Sequence, residues 1–302
     1  MIVGRLAPSP TGSLHLGNAR TFLWAWLSAR AQGGRVLLRI EDLDTPRVKP
    51  GAVEAIEEDL RWLGLDWDGP VEVQSRRRDH YVKVFERMKP SIYPCGCTRA
   101  DLAAAASAPN EGDSELRYPG TCRNRAPDKV VAWRLKVAPG TVAFDDRLSG
   151  RHEIDVAATV GDFVVAKSPE QPAYQLAVAA DDIDQGVTEV VRGDDLVPST
   201  ARQLLVYRAL GAEPPAYGHA PLVVGTDGKR LAKRHGESRI AALRRSGVPA
   251  GRVVATLARW SGLPPLERPS ELLPHWSWAK LSRDRVILTR EKLNELTTDD
   301  SP

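Results

Sequence analysis

The sequence predicts an α/β fold: two halves of a nucleotide-binding domain, an insertion between them, and a small helical unit at the end. Three observations carry this. The first stretch, Gly4 to Asn18, reads GRLAPSPTGSLHLGN between an apolar start at Ile2-Val3 and an apolar run, Ala19 to Ala31, with helical spacing. That is strand, tight turn and helix. Short apolar strands and amphipathic helices follow it, and the pattern resumes late in the chain at Val187–Val191. Between these parts the chain changes character, because all three cysteines and a Ser/Pro/Asn/Gly stretch fall there. The expected units are residues 1–91, an inserted domain over 92–184, a second half over 185–235 and a helical unit over 236–302.

Composition agrees. A chain of 302 residues can bury roughly three quarters of its unfolded surface. A hydrophobic content of 42% with 27% charged residues is globular rather than disordered. Apolar runs stay well short of the roughly 18 residues a membrane helix needs. Arg5 interrupts the N-terminus where a signal would be apolar. A cytoplasmic protein without a membrane partner is therefore expected, and a monomer. The net charge of +3 permits a polyanion partner without arguing for one. An odd cysteine count does not suggest a disulfide framework.

In the opening turn, a helix N-terminus with free N–H groups lies beside polar residues, which suits a phosphate-bearing ligand. Gly12 and Gly17 allow close backbone approach, and Pro8 and Pro10 stiffen the entry. Arg35–Ile40 reads as a strand ending in Glu41-Asp-Leu-Asp44. Acidic residues at the carboxyl end of such a strand lie where α/β folds bind ligands; a solvated turn is the other reading of Asp42 and Asp44. Ala52–Leu63 and Ser75–Met88 read as helices, with Arg76 to Arg78 on a solvated face. Val130–Val137 and Thr159–Lys167 read as strands of the insertion, and Ser107–Ser114 as a loop. Ser199 is placed as the cap of a helix to Leu210, Pro221–Val224 as the last strand, and the chain from Gly236 as helical, most clearly at Ala250–Ser261.

Cys95-Gly-Cys97, Tyr118 and Cys122 form a metal candidate. Two thiolates one residue apart and a distant third suit Zn²⁺, which takes four ligands in a tetrahedron. Three buried thiols beside a core tyrosine are the alternative.

PSPTGSLHLGN resembles the "HIGH" motif of class I aminoacyl-tRNA synthetases, in the form used by glutamyl-tRNA synthetases, and IEDLDTPR resembles the same family. Arg230-Leu-Ala-Lys233-Arg234 is similar to a degraded "KMSKS" loop. The resemblance implies a Rossmann-type catalytic domain with a zinc-containing insertion. It implies a glutamate-binding set of Arg5, Ser9, Glu41, Tyr174 and Arg192, and an ATP site at His15, Gly17, Asn18 and Lys233. His15 and Lys233 would be the catalytic pair, acting on the ATP phosphates, with Mg²⁺ accompanying ATP. The charges are complementary: two arginines can each take a carboxylate, and Glu41 with Ser9 an ammonium. An ion pair with Asp194 or Asp195 is the other reading of Arg192. Tyr118-Pro-Gly-Thr-Cys122 matches the form in which a tyrosine is the fourth zinc ligand.

Three features are similar to the glutamyl-Q tRNA(Asp) synthetases, short relatives that attach glutamate to queuosine in the anticodon of tRNA(Asp). They are the tyrosine-type zinc set, Val178 where full synthetases tend to have asparagine, and the short tail after Arg234. Its arginines, among them Arg239, Arg244 and Arg252, read as ordinary helix surface or as an RNA-backbone contact. The partners implied are L-glutamate, ATP and queuosine-bearing tRNA(Asp). A truncated glutamyl-tRNA synthetase charging tRNA(Glu) and a non-catalytic tRNA-binding relative are the alternatives.

Overall fold

The computed structural model describes residues 1–98, 100–102, 117–229, 231 and 236–297. Ser107–Ser114 and Lys233, with Arg230, Ala232 and Arg234, lie outside the described residues. In chain order the strands are β1 (Val3–Leu6), β2 (Arg35–Ile40), β3 (Glu72–Val73), β4 (Ile92–Cys95), β5 (Ala132–Leu135), β6 (Val142–Asp146) and β7 (Gly150–Ile154). They continue with β8 (Val164–Ser168), β9 (Gln171–Pro172), β10 (Glu189–Gly193), β11 (Ala216–Ala220), β12 (Val223–Val224) and β13 (Val286–Ile287).

Strands β1, β2 and β3 pair in parallel, and so do β10 and β11. The two sets meet at β1 and β10, where the Thr188 amide donates to the Val3 carbonyl at 2.9 Å and Arg5 Nη1 to the Val191 carbonyl at 3.2 Å. The resulting order is β3-β2-β1-β10-β11, with a topological switch between β1 and β10. Ligands of such sheets bind outside the carboxyl ends of the strands at that switch. Crossovers supply helices: α1 (Leu16–Arg30) joins β1 to β2, and Val197–Leu210 joins β10 to β11.

Helix α1 starts at Leu16, three residues before the apolar run, because His15 and Asn18 close a capping box. The helix is buried on most of its circumference, from Leu16 through Ala29, which is why its sequence is apolar rather than striped. The C-terminal helix Ala250–Trp260 shares this core through Val253, Val254 and Leu257. Buried Arg20 fastens the two parts, donating to the carbonyls of Pro221 (2.6 Å) and Trp260 (3.1 Å) and to Ser261 Oγ (3.2 Å).

The four antiparallel strands β4-β5-β8-β9 form the cysteine-bearing sheet. Within the span 92–184, however, the β6–β7 hairpin pairs with β11 through Tyr217 and Asp146. Other readings are corrected. Ser199 is not a cap, since the helix begins at Val197 with proline in its first turn. The last segment is not wholly helical, because β13 pairs with β12. Arg77 is not on a solvated face: it binds Asp181 at 2.8 Å and also Asp184. Asp42 is held locally, accepting from the Ser75 amide at 2.8 Å and its hydroxyl at 2.6 Å.

Glycine at 218 is required by packing. A Cβ there would stand 2.2 Å from the Trp278 ring, which is wedged edge-on against Trp24 and Trp276. Gly218→Ala is expected to destabilise the protein by about 1–3 kcal/mol through overpacking, read as a lowered denaturation midpoint. An unchanged midpoint would mean that the tryptophan cluster yields freely.

Candidate active site

A cavity of about 690 Å³ opens at the β1–β10 switch, lined by Arg5, Ser9, His15, Glu41, Tyr174 and Arg192 among others. Gly17 and Asn18 line it too. The structure thus brings together the residues predicted for glutamate and ATP except Lys233, which is outside the described residues.

His15 is both cap and lining residue. Its Nδ1 accepts the Asn18 N–H at 3.2 Å while Asn18 Oδ1 accepts the His15 N–H at 3.3 Å. In the neutral ring this puts the proton on Nε2. A Cβ on Gly17 would stand 3.0 Å from that ring, so glycine preserves its position.

Arg5 leaves β1 buried, with Nε 3.6 Å from Asp182 Oδ1. Among the described residues that Nε has no hydrogen-bond partner. Glu41, at the end of β2, accepts from Arg39 Nη2 at 3.2 Å. Burial raises the Glu41 pKa, against the pull of Arg39 and Arg5. Arg39 is fully buried and binds Asp182 at 2.6 Å. Burial opposes its charge but is outweighed by Asp182, Glu41 and Asp181, so its pKa is raised. Asp181 is engaged by Arg77, Gln74 and Tyr81. Arg5, Arg39 and Arg192 set against Glu41 and Asp182 leave a net charge of +1, the complement of an amino acid with two carboxylates and one ammonium.

Arg192, the penultimate residue of β10, is 5% exposed. It donates to Gln203 Oε1 (2.8 Å), Thr200 Oγ1 (2.7 Å) and His219 Nε2 (3.2 Å), with a longer contact to the Leu196 carbonyl (3.4 Å). Asp194 is instead bonded by Arg285 at 3.2 Å. Among the described residues the guanidinium is therefore held by uncharged partners. Tyr174, the first residue of the helix Tyr174–Asp184, is 41% exposed at the cavity's edge. Sequence reading missed Arg39, Asp182, Thr200, Gln203 and His219. The first could have been noticed as a charged residue inside an apolar strand; the others come from distant elements and carry no local signal.

A second cluster lies in the antiparallel sheet. The sulfurs of Cys95, Cys97 and Cys122 are all within 4.8 Å of one another, and Cys97 and Cys122 are 3.7 Å apart. Tyr118 Oη is 3.4 Å from Cys95 Sγ and accepts the Cys122 N–H at 2.8 Å. Sulfurs bound at about 2.3 Å to one tetrahedral ion would stand roughly 3.8 Å apart, so the donor set fits zinc. Burial raises the Cys95 thiol, but Tyr118 and Arg134 hydrogen bonds outweigh it and bring the pKa down to about 7.

The family described as tRNA synthetases class I (E and Q), catalytic domain, matches residues 1–276. The chain is 46% identical to the glutamyl-Q tRNA(Asp) synthetase of Rhodopirellula baltica, covering 95% of this chain and 96% of that protein. It is 49% identical to the enzyme of the same name from Nitratidesulfovibrio vulgaris, covering 88% of each. Among solved structures it is similar to a glutamate tRNA ligase from Elizabethkingia meningosepticum in complex with its amino acid. That likeness has a TM-score of 0.83 at 28% identity and covers 97% of this chain and 68% of the other. No described helix is long and apolar enough to cross a membrane.

Proposed function

We propose, from the premise that the chain belongs to the glutamyl-Q tRNA(Asp) synthetase family of class I ligases, that it activates L-glutamate with ATP and transfers it to queuosine in tRNA(Asp). One observation carries the activation step: Arg5, Glu41, Tyr174 and Arg192 converge on the cavity that the capped N-terminus of α1 also lines. Arg5 and Arg192 receive the two carboxylates and Glu41, with Ser9, the ammonium. Tyr174 stands over the edge. ATP, with its Mg²⁺, lies along His15, Gly17 and Asn18, where the helix N-terminus favours anionic oxygens. Lys233 is the cation assigned to the phosphates.

The α-carboxylate oxygen attacks the α-phosphorus, the bond to the bridging oxygen breaks, and pyrophosphate leaves with that electron pair. Holding the reactants in line can contribute roughly 7–11 kcal/mol without a covalent enzyme intermediate. A nucleophile of queuosine then attacks the acyl carbon and AMP departs. Cys95, Cys97, Cys122 and Tyr118 would hold a structural zinc.

The near full-length likeness to relatives of one name supports queuosine as acceptor. Incubation with labelled glutamate and ATP is expected to label tRNA(Asp) carrying queuosine, and not the same RNA lacking it. Label on queuosine-free tRNA(Glu) would instead favour a synthetase that charges a 3′ end. Tight tRNA binding without pyrophosphate exchange would point to a non-catalytic relative.

A further inference from the structure

We propose that His219 is a positioning residue for glutamate capture: with one ring nitrogen committed to Asp146, it presents the other as a lone pair that aims Arg192 at the substrate. This rests on the glutamate reading above and assigns a device behind it.

The geometry runs from the hairpin to the cavity. Asp146 Oδ1 is fixed by the amides of Leu148 (2.9 Å) and Ser149 (2.8 Å) and by the Ser149 hydroxyl (3.0 Å). Its Oδ2 lies 2.7 Å from His219 Nδ1. Although burial opposes its ionisation, the hydrogen bonds from His219 and the two amides bring the Asp146 pKa down to about 2, so it is an acceptor only. Nδ1 must therefore carry the proton. In a neutral ring Nε2 is then a lone pair. It faces two donors, Arg192 Nε–H at 3.2 Å and the Thr200 hydroxyl at 3.1 Å.

Neutrality follows from the surroundings. His219 is 2% exposed, and burial and the Arg192 charge lower its pKa against the pull of Asp146. The charged or titratable groups facing it are Asp146 on β6, Arg192 on β10 and His152 on β7, while the Tyr217 ring stacks beside it at 6.1 Å. A proton on Nε2 would set one N–H against another.

A guanidinium has five N–H donors. His219 takes the Nε–H, Gln203 one N–H of Nη1, and Thr200 and the Leu196 carbonyl lie against Nη2, so the Nε side edge is consumed and the remaining N–H, on Nη1, is the donor left for a carboxylate. Without the Nε2 lone pair, that plane could rotate about its long axis and lose the carboxylate.

The test is glutamate-dependent ATP–pyrophosphate exchange by wild type, His219→Ala and His219→Gln, with folding followed by circular dichroism. The alanine variant is expected to raise the KM for glutamate ~10-fold or more, as for loss of a hydrogen bond to a charged group, with kcat and the KM for ATP little changed. Glutamine, whose amide oxygen can accept from Arg192, is expected to restore most of the affinity. Asp146→Asn, which lets the ring tautomer invert, should raise KM in the wild-type background and not in the His219→Gln background. A folded alanine variant with an unmoved KM, or glutamine as damaging as alanine, overturns the proposal. If alanine does not fold, the glutamine and Asp146 variants decide by the same criteria. A wild type that exchanges pyrophosphate with no response to glutamate overturns the glutamate reading itself, and this proposal with it.

Discussion

Arg192→Ala is expected to remove nearly all glutamate-dependent pyrophosphate exchange. Deleting one member of a buried, hydrogen-bonded charge pair costs about 2–5 kcal/mol, which is roughly 30-fold to several thousand-fold in kcat/KM for glutamate. The effect should be large here because Arg192 is buried and its described partners Gln203, Thr200 and His219 are uncharged. On the proposed reading, a bound carboxylate is the charge that this guanidinium pairs with. Arg192→Lys should fail nearly as badly, since an ammonium with three donors cannot hold these fixed acceptors and still offer one to a carboxylate. The KM for ATP should stay near wild type, because α1 and its cap are untouched. On the same reading glutamine is expected to be rejected: an amide in place of the carboxylate would leave a buried guanidinium facing an uncharged group that also brings its own N–H donors. Exchange that survives Arg192→Ala within a few-fold, or glutamine used as well as glutamate, would remove Arg192 from the pocket.

The parts of this site that could be read in the sequence are those fixed by local chemistry. The turn Pro8–Asn18 announces strand, tight turn and capped helix through its prolines and glycines, and the structure has β1, the cleft and α1 in that order. His15 could be singled out, but its double service as cap and lining residue depends on Asn18 folding back upon it. The supports were hidden because they are assembled across long separations. Arg39 and Asp182, 143 residues apart, meet only when β2 lies against the helix Tyr174–Asp184. His219 meets Asp146 across 73 residues. Strand β11, reading AYGHA, has none of the β-branched residues that mark a strand. It is a core strand nevertheless, with Tyr217 and His219 buried by the β6 hairpin and the helix Val197–Leu210. Arg77 was misread for a related reason: in a run of three arginines, only the fold decides which one turns toward Asp181.

Purified protein is expected to contain one zinc ion per chain, held by Cys95, Cys97, Cys122 and Tyr118, and to lose it in Cys122→Ser. The sulfur separation of 3.7 Å matches the spacing of thiolates on one tetrahedral ion. Zinc sites of this kind carry about 10–16 kcal/mol of apparent binding energy near neutral pH, so loss of one thiolate should cost more than the local sheet can absorb. Strand β4 ends at Cys95, and the Cys122 turn is tied to it through Tyr118. Release of the ion should therefore expose the segment around Cys122 to protease before the parallel sheet unfolds. The cavity-lining residues come from other elements, so glutamate-dependent exchange should largely persist at low temperature while transfer to RNA fails. Tyr118→Phe separates the fourth ligand from the rest. It keeps the ring beneath Arg134, 3.8 Å from the guanidinium carbon, but deletes the oxygen, and zinc should then be stripped by a chelator far faster than from wild type. Native mass spectrometry and metal analysis decide the matter. Protein that is fully folded and free of zinc would make the three cysteines a cluster of buried thiols, and zinc held equally well by Tyr118→Phe would make the fourth ligand something other than the phenol.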